Sequence, residues 1–353
     1  MSDYVASALL PFQSRINAKY NAAELRELQN PILRTALGYS DILMGRDNVN
    51  DIKESDKRSV YTYYLKRMAA NNGTARSYAP SGVQSDSGQV TLSWVTFSET
   101  LGQYMQVGYD NVFDDVSMLD HQIMEKQRIL RERVGTYIVQ QLHTNRTQST
   151  FSESLGAGTT RNMSWNAANY AFENTGDQAT KFFQNVASVM KQNKYYDKFD
   201  VIADPVIYKQ ADFLRNQGAG NATNLSYQFV DFNPNGIMMH TTLGQQVAEP
   251  YINGCGIVLP AASFSVVPWI PKINRKGYGN YSEYNGGFGT IADATGLPIE
   301  YAVRAWTQKI DGSGNGSVVQ TVQVQMELSI DIAFNVAPIS TAGETPVYEF
   351  GQL

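Results

Sequence analysis

Three histidines and a single cysteine carry most of the chemistry this sequence could offer, and their spacing argues against it. His121, His143 and His240 are scattered with no metal-ligand spacing, and Cys255 has no companion for a zinc site or a disulfide. No G-x-S-x-G elbow occurs, and no Cys/His pair has a local sequence that suggests a nucleophile. Asp114 and Asp115 could act as paired carboxylates in acid–base work. They stand at the start of a helix, however, where carboxylates cap free N–H groups and suit the dipole. DGSGNGSVVQTV, from Asp311, sets Asp, Ser and Asn at alternate positions as a calcium loop does. Its twelfth position is Val322 instead of an acidic ligand, so it reads as a turn. GYGNYSEYNGGFG, Gly277 to Gly289, has glycines but no lysine and no following helix, so it is no phosphate cradle. A Tyr/Gly/Asn-rich loop of low charge suits a contact surface. The expectation is a non-enzyme with no catalytic, cofactor-binding or metal-ligating residues.

Composition sharpens this. The 353 residues allow one large domain or two smaller ones; 42% are hydrophobic and 17% charged, which means an ordered chain with a polar, weakly charged surface. Abundant Gly (28) and Tyr (21) favour β-rich structure with many turns. A formal charge of −5 argues against a nucleic-acid binder that works by neutralising phosphates. The start MSDYVASALLPFQSRINAKY lacks the basic and apolar parts of a secretory signal, and no run approaches the ~20 apolar residues of a membrane span. One cysteine allows a reducing compartment. The N-x-S/T matches at Asn72, Asn145, Asn162, Asn221, Asn224, Asn280 and Asn315 read as chance in a chain rich in these residues.

The elements come from periodicity. VQVQMELSIDIAFNV, Val322 to Val336, alternates at every step, which is the mark of a half-buried strand of about 50 Å. IEYAVRAWTQKI, Ile299 to Ile310, alternates likewise and is joined to it by DGSGNGS. Between residues 112 and 143, Phe113, Val116, Leu119, Ile123, Leu130, Val134, Ile138 and Leu142 recur at helical spacing, with Lys126, Arg128, Arg131 and Glu132 assigned to the opposite face. That helix spans ~45 Å, so helix and strand match in length and can bury each other's stripe. VYTYYLKRM and QVTLSWVTF, the first with Tyr61, Tyr63 and Leu65 on one face, read as strands around a polar hairpin tip; a two-stranded ribbon is marginal alone and should lie on something else. Residues 1–58 show no sustained period and read as an extended arm with brief helical turns, AAELREL being the best short helix. GDQATKFFQNVASVMKQN (helix), DVIADP (buried strand), VIYKQADFLRN (helix) and several short strands, among them GIMMHTT and GIVLPAASFSVVPWIP, make an α+β insertion.

In this order of parts the chain resembles the major capsid proteins of tailed bacteriophages, the fold named after phage Hong Kong 97. The resemblance covers most of the chain and rests on architecture. It implies an N-terminal arm (1–58), an extended loop (59–107), a peripheral domain with the spine helix (108–174), an axial domain (175–298), and the returning β-hairpin of the peripheral domain with the C-terminus (299–353). It also implies self-assembly into pentamers and hexamers of an icosahedral shell around double-stranded DNA, touched non-specifically on the inner face. The subunit would be made in the host cytoplasm and reside in the virion, with separate scaffolding, portal and decoration proteins as further candidate partners and no membrane. Only about sixty residues precede the loop, too few for the larger fused scaffolding domains. Some members join a loop lysine to a neighbour's asparagine; Lys66 lies near the hairpin's base, and nothing supports that chemistry here. An encapsulin-like compartment shell would share the fold, and a β-rich carbohydrate-binding protein or enzyme is the third reading.

Overall fold

The computed structural model describes residues 11–27, 29–40, 59–68, 76, 84, 86–107, 112–149, 163–174, 179–217, 234–240, 251, 253–276, 286–311, 320–336, 338–339 and 343–353. Most of the hairpin tip, most of the 277–289 loop, the turn after Asp311 and six of the seven N-x-S/T asparagines (all but Asn145) lie outside them. The fold is α+β, and its described part falls into two compact units. One comprises Met1–Val60, Ser93–Gly135 and Val266–Phe334; the other comprises Tyr61–Leu92, Thr136–Ser265 and Asn335–Leu353.

In the first unit, strand β3 (Val95–Val107), β10 (Gly286–Ala292), β11 (Glu300–Asp311) and β12 (Gln320–Val336) form an antiparallel sheet in the order β10-β11-β12-β3, and β9 (Phe264–Trp269) also pairs with β12. The alternation places Met326, Leu328, Ile330 and Ile332 inward, each 2% exposed or less. Leu328 stands opposite Val303 on one side and Glu99 on the other, so all three share a face. The long helix, Val112–Thr144, reaches β3 through Glu99 and Ser98. Lys126 Nζ lies 3.2 Å from Glu99 Oε2, and Arg133 Nη1 donates to Glu99 Oε1 at 2.7 Å and to the Ser98 carbonyl at 2.9 Å. The opposite side of β12 was expected to be polar and solvated. Toward its end that fails: Asp331 and Ala333 are buried too, and Asp331 accepts a hydrogen bond from Thr96 across the pair.

The brief helical turns expected in residues 1–58 are, over residues 12–38, three short helices: α1 (Phe12–Lys19), α2 (Ala22–Glu27), which falls on the expected AAELREL, and α3 (Pro31–Gly38), which makes the long helix α4. They bring Phe12, Ile16, Ile32, Leu33 and Ala36 to 1% exposure or less. Arg15 grips the buried carboxylate of Asp120 on α4 with two bonds of 2.7 Å each, and Asn30 caps α3 by accepting from Ile32 N and Leu33 N. Asn30 also explains a glycine in mid-helix. A Cβ on Gly135 would sit 2.3 Å from Asn30 Nδ2. Helices of two turns carry too few residues to show a period, and they hold here by packing.

The second unit holds a six-stranded mixed sheet. Its order is β4 (Met163–Asn166), β5 (Ala171–Asn174), β13 (Tyr348–Gln352), β8 (Cys255–Pro260), β6 (Phe199–Ala203) and β7 (Pro234–Met239). Helices α5 (Ala179–Gln192) and α6 (Pro205–Gln217) contribute Phe182, Phe183, Met190 and Ile207 to its core, all at 0% exposure. These match the insertion read from the sequence. Strand β13 does not: residues 299–353 were grouped with the long hairpin, yet β13 runs parallel to β5 and antiparallel to β8. Conversely, Val266 onward leaves the expected 175–298 block, because β9 bonds to β12.

Candidate interaction surfaces

The residues with chemical potential are kept apart. His121 is exposed on α4; His143, at the end of α4, bonds Glu349 Oε2 at 2.8 Å; His240 is buried after β7, which pushes its pKa down. Among the described residues no group of His, Cys, Asp or Glu could hold a metal ion, and no helix is long and apolar enough to cross a membrane. The Cys255 thiol is buried beside Asp204, and burial with that carboxylate raises its pKa, so the nucleophilic thiolate is suppressed. Asp114 and Asp115 do lie in the first turn of α4. The Gly277–Gly289 loop is described only from Gly286, where it enters β10.

Two buried polar clusters escaped the sequence reading. Arg131, assigned above to the polar face of α4, is 4% exposed and donates to Asp293 Oδ2 at 2.6 Å. Tyr301 Oη donates to the same oxygen at 2.8 Å, and Thr295 donates to Oδ1 through its backbone N–H and its hydroxyl. Burial and the Asp293 charge hold the Tyr301 phenol far above its usual pKa. One residue away, Gln127 donates to the Ala292 carbonyl and accepts from Ala294 N, fixing the same turn to α4. At about 100° per residue Arg131 lies on the shoulder of the stripe after Leu130, a position that can face either way. In the second unit Glu349 accepts from His143 and lies 3.3 Å from Arg146 Nε, and Glu173 Oε1 accepts from Asn166, Asn169 and Tyr251. Every group in these clusters is used in holding its own fold. We expect Arg131→Met to cost about 3–5 kcal/mol in chemical denaturation by stranding the Asp293 charge, and Arg131→Met with Asp293→Asn, which removes the charge and keeps the Oδ1 acceptor for Thr295, to recover part of it.

One outward face is apolar. The ribbon of β1 (Ser59–Leu65) and β2 (Ser87–Ser93) has two faces. Tyr64 lies over Gly88, where a Cβ would come within 2.2 Å of its ring, and Leu92 is buried. On the other face Tyr61, Tyr63 and Leu65 are 57%, 77% and 78% exposed. The sequence placed these three on one face correctly and expected that face to be covered; in the single chain it is open. Three large side chains at consecutive i, i+2 positions form a contiguous apolar patch of the kind that marks an interaction site.

No protein-family model and no curated protein matches the sequence. Solved structures do. The chain is similar to one titled Cyanophage Pam1 capsid asymmetric unit, with 11% identity, 86% of this chain and 87% of that one covered, and a TM-score of 0.43. It is similar to the capsid of Ralstonia phage GP4, with 8% identity, coverage of 85% and 84%, and a TM-score of 0.41. A chain of Mycobacterium phage Che8 matches at 10% identity, with coverage of 87% and 89% and a TM-score of 0.40.

Proposed function

We propose that this chain is the major capsid protein of a tailed bacteriophage, with a Hong Kong 97-type fold that assembles into pentamers and hexamers of the shell enclosing double-stranded DNA. The order of parts carries this reading. An arm precedes a β-ribbon, a 33-residue helix follows, an α+β unit is inserted, and the chain returns in two long paired strands, the second of 17 residues. The open Tyr61–Leu65 face supports it, because a subunit built for repeated contacts has reason to leave such a stripe uncovered until neighbours arrive. In this role the chain has no catalytic duty, and its acidic balance of −5 keeps packed DNA from adhering to the wall. Separate scaffolding, portal and decoration proteins complete the proposed set of partners, and the virion is the proposed location.

Negative-stain microscopy of the purified protein tests this. Closed shells or rings of five and six are expected. A monodisperse monomer at high concentration, with scaffold and other virion proteins supplied, would overturn the proposal. Shells that enclose protein cargo and no DNA in infected cells would instead indicate an encapsulin-like compartment.

A further inference from the structure

The sheet of the first unit has a second face, turned away from Leu328, and its register can be read row by row. Gly286, Trp306, Gln325 and Gly102 stand side by side on β10, β11, β12 and β3. The next row is Phe288, Arg304, Glu327 and Thr100, and the one after it Thr290, Ala302, Ser329 and Ser98. Trp306 is 44% exposed, the most open of the four tryptophans; Trp94 and Trp269 stack on each other, and Trp165 packs against Phe172. Its partner on β10 is Gly286, which sets no side chain beside the indole. On the other side the Gln325 amide lies over Gly102, its Oε1 3.3 Å from where a Cβ would be. Arg304 sits over the Phe288 ring at 5.6 Å, with Glu327 directly across on β12.

We propose that this face binds a neutral hexose polymer, one pyranose ring stacked on Trp306 and its hydroxyls hydrogen-bonded by Gln325, Glu327 and Arg304. The choice of ligand follows from what surrounds the indole. A sugar ring has an apolar C–H face and a rim of hydroxyls, and an open tryptophan beside an amide, a carboxylate and a guanidinium offers the matching pair of surfaces. Donors and acceptors on adjacent strands are about 4.8 Å apart and those two along a strand about 7 Å, spacings that suit hydroxyls around a six-membered ring. The described charges in these rows are one arginine and one glutamate, so there is no excess positive charge for a phosphate backbone. A protein-contact anchor would be ringed by other apolar side chains. Here the cross-strand neighbours are Gly286 and Gln325, and the residue two along the same strand is Arg304.

The test is titration of the full chain with cellohexaose, maltohexaose and chitohexaose, following tryptophan emission. A saturable blue shift with at least one hexaose is expected. Trp306→Ala should weaken that binding about tenfold or more, and Gln325→Ala about fivefold, both with unchanged circular dichroism. Should Trp306→Ala fail to fold, Gln325→Ala and Trp306→Phe, the latter keeping most of the affinity, decide the matter. The proposal is overturned if none of the three hexaoses binds, or if the variants titrate like the parent. It is equally overturned if the Trp306 signal responds to a single-stranded oligonucleotide or to protein concentration alone, outcomes that would make the face a nucleic-acid or a copy-to-copy surface.

Discussion

Leu328→Asp is expected to unfold the first unit at ambient temperature, whereas Ser329→Asp, one residue along, should melt within a few degrees of the parent. Leu328 is fully buried, and a carboxylate there would stand directly across from Glu99, which Lys126 and Arg133 of α4 already pair. An unpaired charge in that seam, with a like charge opposite, costs on the order of 5 kcal/mol or more, comparable with a domain's whole stability. Ser329 points to the other face, is only half-buried, and has exposed Ser98 as its neighbour on β3. Its replacement should cost under about 1 kcal/mol. Soluble yield and thermal melts of both variants check this. Equal melting points would mean that the alternation of β12 does not define a buried face.

Deleting Tyr348–Gln352 should be equally severe for the second unit. These five residues form the strand between β5 and β8, so their loss divides the six-stranded sheet and removes Tyr348 and Phe350, both at 0% exposure, from the core. Phe350 alone stacks on Phe172 at 5.4 Å and meets Phe182 edge-on at 6.2 Å. Limited proteolysis should cut the truncated chain faster than the parent within β5, β6 and β8. Gly351→Ala should show a milder form of the same defect. A Cβ at Gly351 would lie 2.1 Å from the Tyr251 ring, which must then move and give up its hydrogen bond to Glu173. A truncated chain as protease-resistant as the parent would show that β13 is dispensable.

The contrast between β12 and β13 shows what a sequence can and cannot disclose. Val322–Val336 repeats its pattern often enough to announce strand, face and length, and α4 does the same at helical spacing. YEFGQ is five residues, buried throughout, so it shows no alternation; its partners Phe172 and Gly256 are far away in sequence. Nothing local identifies them. The helices of the arm were partly legible: Asn30-Pro31 is a cap followed by proline at the first helical position, a start signal that periodicity alone passes over. Arg131 was misplaced because a long cation on the shoulder of an apolar stripe turns inward only if a carboxylate waits there, and Asp293 arrives from a distant turn. The open face of Tyr61, Tyr63 and Leu65 was placed correctly on its strand, but whether it was covered depended on the rest of the fold.

The position of β13 also sets a timetable. A ribosome adding about 5–20 residues per second needs roughly 9–36 s to travel from β5 to the end of β13. During that interval Phe172 and the edge of β5, joined by the edge of β8 once residue 260 is made, lack the strand that will lie between them. Loop closure over such a separation is slow, and open strand edges invite pairing with other chains. The nascent chain therefore passes through a stage in which its open strand edges are most exposed to pairing with other chains. A chain that stops before residue 348 leaves the sheet of the second unit split between β5 and β8.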